Sequence, residues 1–377
     1  MAKVTDSSRV LDRVRYLAAK AITEPLKLTC VPPLGEQPHP YGDLVPLGFV
    51  HLALQTAAAV LHSIDIAAEA ESVRQYLMAR RTRGLWAYQE GGLETSIDSG
   101  FVLLGMWDSQ AVQELERFSD GNGGYLPQLH TREVEPGKMT VRDSLLHWCR
   151  ADYSIASLVS MLRRRHDLPT MTPISVFESR FDQRSGLYLA NPYFADWLLA
   201  QAIQGNPETE SLREKLQAEI VGASSRDGLF GRFDILLSTA LSILALHALG
   251  TEGIEVHQQA LASLIATETV VESTPFYSTE KVMWSKSDPW TLLYMSETGN
   301  ARQLIRSGGQ EHAITYYQDP HGLVVYSLAL LALLLDTESC DRPRARVAFH
   351  PRYQSEQPEN YIADFALPPY LVSETVA

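Results

Sequence analysis

Several acids and histidines stand where this sequence passes from a polar turn into an apolar run. Asp98 lies in Thr95-Ser96-Ile97-Asp98-Ser99, Asp152 follows His147-Trp148-Cys149-Arg150-Ala151, and His321 sits in Asp319-Pro320-His321-Gly322. Asp196, Asp234 and Asp288 occupy comparable places. A carboxyl group at the start of a buried helix can cap the free N–H groups and suit the positive end of the helix dipole. It can also donate a proton, hold a metal or steady a cation. Asp98, Asp152 and His321 are therefore the candidate acid–base residues. On a helix Cys149 and Asp152 share a face, and with a distant histidine such as His321 they make a Cys, Asp and His set that zinc accepts. Cys149 is also a candidate nucleophile if a histidine lies beside it. The plainer readings are a helix cap, a buried inert thiol and a turn histidine with a structural hydrogen bond.

Two basic clusters, Arg80-Arg81-Thr82-Arg83 and Arg163-Arg164-Arg165-His166, are the groups a diphosphate would need. Both fall at helix C-terminal ends, where cations complement the dipole and face solvent. Trp86, Tyr88, Tyr153, Tyr277 and Trp290 are the candidate substrate-contacting aromatics. If they face an interior, their rings can hold an apolar chain and stabilise a cation; as wedges between helices they bury core area. The stretch Glu272–Glu280, with Trp284 beyond it, reads either as a lid or as a hairpin loop carrying a wedge.

Helices must position these residues. Residues 8–22 form an amphipathic helix, and 30–44 are Pro-rich and read as a loop. Beyond these, two kinds of helix alternate. One is polar on one side, at 64–81, 108–118, 208–221 and 254–267. The other is apolar nearly all round, at 44–61, 98–107, 152–163, 195–204, 235–249 and 323–335. Turns with a glycine or proline and an aromatic join them: Gly84-Leu85-Trp86, Gly123-Gly124-Tyr125, Gly186-Leu187-Tyr188, Gly228-Leu229-Phe230 and Pro275-Phe276-Tyr277. The turns recur at intervals of about 40 to 48 residues. One longer interval contains LHTREVEPGKMTVRD, read as a surface loop. A helix buried on all sides belongs to an inner ring and an amphipathic one to an outer ring. The expected fold is all-α, an α/α toroid of about six helical hairpins over residues 1–340. An extended Pro-rich tail, 341–377, packs on its outside.

The repeats resemble those of the prenyltransferase and terpenoid-cyclase superfamily. The carriers are Gly84-Leu85-Trp86 with Thr95-Ser96-Ile97-Asp98-Ser99-Gly100-Phe101-Val102-Leu103-Leu104, and Asp227-Gly228-Leu229-Phe230-Gly231 with Ser238-Thr239-Ala240-Leu241. The resemblance covers residues 64–335. It implies an isoprenoid substrate in a central cavity and, for the class II cyclases, an Asp-x-Asp-Asp motif whose middle acid protonates an alkene. Here Thr95-Ser96-Ile97-Asp98 takes that place, so only the last acid survives and Ile97 replaces the donor. There is no DDxxD motif for ionisation through magnesium. The Asp-x-Cys zinc order of the protein prenyltransferases is not reproduced, since Cys149 precedes Asp152. The cofactor is left open between zinc and none.

Composition narrows the partners. The chain has 377 residues, 45% hydrophobic and 20% charged, enough to bury a large core. A net charge of −13 argues against nucleic acid, which needs basic surface. Leu323–Leu335 is too short and too interrupted to span a membrane, so no integral span is expected. Three widely spaced cysteines and an N-terminus without a signal-peptide apolar core fit a reducing, cytoplasmic setting. The leading reading is a terpenoid cyclase-like enzyme performing acid-assisted cyclisation or rearrangement of a small apolar isoprenoid. The alternatives are a non-catalytic toroid that binds or scaffolds, and a glycan-active α/α barrel using paired carboxylates.

Overall fold

The structure is a computed structural model. It describes residues 3–31, 37–88, 92–129, 131–135, 138–141, 151–184, 189, 191–231, 235–251, 255–266, 275–278, 291–294, 303–307, 310–313 and 316–338. By internal contacts the chain divides into Met1–Arg344 and Ala345–Ala377. The proposed tail, 341–377, lies outside the described residues.

Six apolar helices form a closed ring: α2 (Leu44–Leu61), α4 (Ser96–Leu103), α6 (Tyr153–Arg165), α8 (Pro192–Ile203), α10 (Ile235–Ala248) and α12 (Leu323–Glu338). Each packs on the next, and α12 packs back on α2. Their side chains are buried on every face, as the all-round apolar pattern requires. The remaining helices lie outside the ring. They are α1 (Lys3–Thr23), α3 (Ile64–Ala79), α5 (Ser109–Glu114), α7 (Ile174–Ser179), α9 (Glu210–Gly222) and α11 (Glu255–Ala266). α5 continues into a 3-10 turn at Leu115–Phe118, and α7 is followed by another at Phe181–Gln183. Outer helices alternate with inner ones along the chain, so the inner helices run parallel and their N-termini share one end. The fold is the expected all-α toroid.

The aromatic turns lock onto the inner helices. Trp86, Tyr125 and Phe230 are fully buried. The backbone N–H of Trp86 donates to Ser99 Oγ at 3.0 Å, and the hydroxyl returns a bond to the Trp86 carbonyl at 3.1 Å. Phe230 N–H donates to Thr239 Oγ1 at 3.1 Å in the same way. One hydroxyl in the first turns of an inner helix thus satisfies the backbone of the wedge residue before it. The turn glycines are not equivalent. Gly228 has φ +73°, and a Cβ there would lie 2.7 Å from Gln259 on α11, so glycine is required by both backbone and packing. Gly84 has neither constraint.

Several expectations need correction. The segment LHTREVEPGKMTVRD contains an antiparallel hairpin, β3 (Thr131–Glu135) with β4 (Lys138–Val141). The Pro-rich stretch contributes β1 (Thr29–Val31) and β2 (His39–Pro40). Residues read as a wedge loop form β5 (Pro275–Ser278), which pairs with β9 (Tyr316–Gln318) in a sheet ordered β2-β1-β9-β5. Between them, β6 (Thr291–Tyr294), β7 (Gln303–Ser307) and β8 (Gln310–Ala313) form an antiparallel meander. The repeat pattern gave no hint of these strands.

The arginines of 163–165 are not a solvated helix end. Arg163 Nε donates to Pro169 O at 2.6 Å, Arg164 NH2 to Gln201 O at 2.6 Å and Arg165 NH1 to Leu104 O at 2.7 Å. They tie the C-terminal end of α6 to those of α8 and α4, satisfying carbonyls that the helices leave unpaired. Arg184 plays a similar part at the other end. Its Nε donates to Asp196 Oδ1 at 2.7 Å, it also pairs with Glu219 on α9, and its guanidinium lies 4.0 Å from the Phe181 ring centroid. Burial pulls the Arg184 pKa down, but the two carboxylates outweigh it and hold the group above its ordinary value.

Two substitutions test this packing. A Cβ on Gly48 of α2 would sit 2.6 Å from the carbonyl oxygen of Phe101 on α4. Gly48→Ala is expected to lower stability by about 1–3 kcal/mol in denaturant titration. Arg184→Met leaves the buried Asp196 without its ion pair and should cost about 3–5 kcal/mol by the same measurement.

Candidate active site

The N-terminal end of the ring gathers the acids. Asp98, Asp152, Asp196 and Asp319 are buried at or near the starts of α4, α6, α8 and α12, and Asp43 precedes α2. They are not alike. Asp152 is the N-cap of α6, its Oδ1 accepting the Ile155 N–H at 3.0 Å. Asp319 Oδ2 accepts the Val324 N–H at 2.8 Å, a cap of α12. Asp196 lies beyond the first turn of α8, whose cap is Asn191, and is held by Arg184. Asp43 receives the Tyr76 hydroxyl at 2.7 Å and faces Arg80 at 3.7 Å, which binds α2 to α3.

Asp98 differs from all of these. Thr95 is the N-cap of α4; its hydroxyl accepts the Asp98 N–H at 3.0 Å and also meets the Asp98 carboxylate in a short hydrogen bond. The Thr95 backbone N–H donates instead to Trp86 O at 3.1 Å, so only half of a capping box is made, with aspartate in the third helical position. Among the described residues no cation pairs with Asp98. Burial pushes its carboxyl up to about 6, against the opposing pull of the Thr95 hydroxyl and its own backbone N–H. Burial thus shifts Asp98 toward its protonated form relative to an ordinary aspartate.

The axis of the ring is visible from its aromatic contacts. α2 and α8 are opposite members of the ring, so contacts between them cross the interior. Phe49 on α2 lies 6.0 Å from Phe194 and 6.3 Å from Trp197 on α8, centroid to centroid. Phe101 on α4 joins them, 4.9 Å from Phe49 and 6.4 Å from Phe194. Phe101 therefore faces the axis. Ile97, one turn earlier on the same face, faces it too. Asp98 lies about 100° around the helix from Ile97 but only about 60° from Phe101, at the edge of that face.

The other sequence candidates are placed as follows. Trp86 donates its indole N–H to Leu77 O at 2.7 Å and packs between α3 and α4 under the Arg81 guanidinium. Tyr88 stacks on Tyr41 with centroids 5.2 Å apart, just before α2. Tyr153 donates its hydroxyl to Phe177 O at 3.1 Å and packs on α7. Tyr277 lies in β5, with its side chain outside the described residues. Trp290, Cys149, His147, Asp234 and Asp288 lie outside them altogether. Asp152 and His321 stand at the starts of opposite ring helices. His321 is mostly exposed, and its pKa is lowered by burial and then by Lys20 and Arg13. Among the described residues no three His, Cys, Asp or Glu side chains come close enough to hold a metal. Of the zinc set, Asp152 caps α6, His321 sits near Lys20 and Arg13, and Cys149 lies outside the described residues.

Sequence reasoning missed the cap at Thr95, although the Thr-x-x-Asp spacing announces a capping box. It also missed Arg184 and Asp43, whose partners are distant in the chain, and the axial role of Phe49, which no local signal marks.

No family model and no curated protein matches the chain. Solved structures do. Type II terpene cyclase MstE from Scytonema, in its apo form, superimposes with a TM-score of 0.60 at 15% identity, covering 89% of this chain and 99% of that one. The fold is terpene cyclase-like. A variant of MstE in complex with geranylgeranyl dihydroxybenzoate, its substrate, gives a TM-score of 0.62 at 14% identity over 89% and 98% of the two chains. A protein from Actinoplanes gives 0.55 at 16% identity over 89% and 99%.

The Asp98 environment makes a pH prediction. Its folded-state pKa, about 6, exceeds the ordinary 3.8, so the neutral acid is the form the fold prefers. The resulting stability is present in full below about pH 4 and is lost as pH rises through 6. His51 and His166, both lowered to about 4 by burial, act in the opposite sense across the same window. The difference between wild type and Asp98→Asn isolates the acid. It should grow in favour of the variant by roughly 2.5 kcal/mol between pH 4 and pH 7 in denaturant titrations.

Proposed function

We propose that the chain is a terpenoid cyclase-like enzyme that takes an isoprenoid at the N-terminal mouth of its ring, with Asp98 as the acid. The observation that carries this reading is the buried Asp98, with no cation paired to it among the described residues, in the first turn of an inner helix of a terpene cyclase-like fold. A cap held by hydrogen bonds alone would be stabilised as a carboxylate; burial of this group instead raises its pKa to about 6, so that it holds its proton to higher pH than an ordinary aspartate. The related folds support the substrate class, since MstE is seen with a geranylgeranyl substrate and with merosterolic acid A, its product.

The reaction differs from protonation of a plain alkene by a paired acid. The axis-facing position holds Ile97, so the proton comes from a carboxyl set beside the axis. A single acid of pKa about 6 is matched to a more basic acceptor than an alkene, such as the oxygen of an oxygenated isoprenoid. In this reading the Asp98 O–H bond breaks and the proton passes to that oxygen. The carbon–oxygen bond then ionises or opens, and an internal double bond attacks the resulting cation. Loss of a proton ends the sequence and restores the acid, either directly or through water. The cation would meet the rings of Phe49, Phe101, Phe194 and Trp197. The cytoplasmic setting read from the cysteines belongs to the same proposal.

A second reading is favoured by Ile97 and by the aromatic contacts across the axis: a toroid that binds an apolar ligand without turning it over. One experiment separates the two. Purified protein is incubated with oxygenated and plain prenyl substrates, and products are followed by mass spectrometry. The enzyme reading expects turnover that falls at least about 100-fold in Asp98→Asn, with an unchanged circular dichroism spectrum. Turnover unaffected by the substitution removes Asp98 from the chemistry, and binding without turnover establishes the second reading.

A further inference from the structure

We infer that Thr95 is the positioning residue of Asp98: its hydroxyl holds Oδ2 of the carboxyl group, so the proton available for transfer sits on Oδ1. The inference rests on the acid reading of Asp98 above and adds a residue to it. Thr95 Oγ1 carries one hydrogen. It accepts the Asp98 N–H at 3.0 Å as the N-cap of α4, and it also meets Asp98 Oδ2. Against an ionised carboxyl, which only accepts, the hydroxyl must be the donor. With Asp98 neutral there are two arrangements. Asp98 could donate from Oδ2, but Thr95 Oγ1 would then accept twice, and its own hydrogen has no other acceptor among the described residues. Thr95 is buried, and an unpaired buried donor is costly. The favoured arrangement keeps Thr95 as donor to Oδ2 in both states. The acid proton is then on Oδ1, to which no other described residue donates.

Thr95 is itself held on both sides. Its N–H and the Ser99 hydroxyl both donate to Trp86 O at 3.1 Å, and the Ser96 N–H donates to Pro127 O at 2.9 Å. The wedge turn and the start of α4 therefore fix where the hydroxyl stands. In the proposed step the Oδ1–H bond breaks, its electron pair stays on the carboxylate, and the proton passes to the substrate oxygen. Negative charge then spreads to Oδ2, where the Thr95 hydrogen bond strengthens. Charged groups on the elements around α4 are engaged elsewhere. Asp43 receives Tyr76, Asp108 pairs with Arg81, Arg117 pairs with Glu94, and Asp152 caps α6. His51 and Arg165 meet the other end of α4, near Gly105 and Leu104. Thr95 is thus the one described side chain that hydrogen-bonds to this acid.

The test follows the pH–rate profile of the full chain on oxygenated prenyl substrates such as epoxyfarnesol. Wild-type turnover should be highest at low pH and fall as pH rises through the pKa of the acid. Thr95→Val removes the hydroxyl and keeps the branched shape. It should lower the low-pH plateau at least about tenfold and move the falling limb to higher pH by about one unit. The variant then holds more of the protonated acid yet turns over less. Thr95→Ser should restore both plateau and limb. Circular dichroism identifies a variant that fails to fold, and Thr95→Gly, with a residue tolerated at N-caps, carries the test if Thr95→Val does. A wild-type plateau and limb in folded variants make Thr95 a cap alone and overturn the inference. A shifted limb with an undiminished plateau overturns it as well, because Thr95 then tunes the acid without placing its proton. Wild type that turns over none of these substrates removes the acid reading, and infrared difference spectra of wild type against Asp98→Asn still locate the proton. The C=O stretch of neutral Asp98 should rise in Thr95→Val and return in Thr95→Ser; a band that stays in place sinks the assignment to Oδ1.

Discussion

The meeting of Phe49 and Phe194 across the axis fixes the size of the ring. Six parallel helices could close at several radii, and an empty centre would lose dispersion contacts on every inward face. Here large side chains span from one helix to its opposite, while glycines let neighbours come close. Gly48 lies against the Phe101 carbonyl, Gly100 against Leu158, and Gly105 against the backbone of Leu52. Small residues between neighbours and large ones across the middle are two halves of one constraint. The acids at the mouth are placed by it, because the depth of each helix start is set by where its aromatics must meet.

Polar groups are distributed to serve the same closure. At the N-terminal end Thr95, Asp152, Asn191 and Asp319 accept the free N–H groups of their helices. At the C-terminal end Arg164 and Arg165 reach the last carbonyls of the helices on either side of α6. These arginines lie in low-dielectric surroundings. Burial lowers the pKa of both, that of Arg165 to about 10. A cation held there by carbonyl oxygens is a structural tie, which answers why a run of three arginines occurs in an acidic chain. It leaves these side chains engaged and not free for a diphosphate.

How much of this the sequence disclosed follows from the physics of each part. α2 was delimited at its observed ends, and α10 and α12 nearly so, because a helix buried on all faces is apolar without interruption. The outer helices α3, α9 and α11 were legible through their one-sided pattern. The short α7 was not, since six residues give too little periodicity. The strands between Pro275 and Gln318 were hidden because an expected repeat masked a change of structure. At the site, Asp98 was visible as a residue but not as an acid apart from its neighbours. That distinction depends on what surrounds it: Arg184 reaches Asp196 and Tyr76 reaches Asp43, while among the described residues no cation pairs with Asp98. The aromatic layer was the least legible part. Its members are scattered over three helices and acquire a common meaning only once α2 and α8 are known to be opposite.

The parallel course of the inner helices has an electrical consequence along the axis. Six aligned dipoles place partial positive charge at the acidic end and partial negative charge at the far end. The interior between them therefore carries a standing potential gradient. In the proposed reaction, a carbocation formed beside Asp98 would find itself on the unfavourable side of that gradient. Its energy falls as charge migrates inward, so successive ring closures or shifts that move the cation away from the mouth run downhill in the field of the backbone itself.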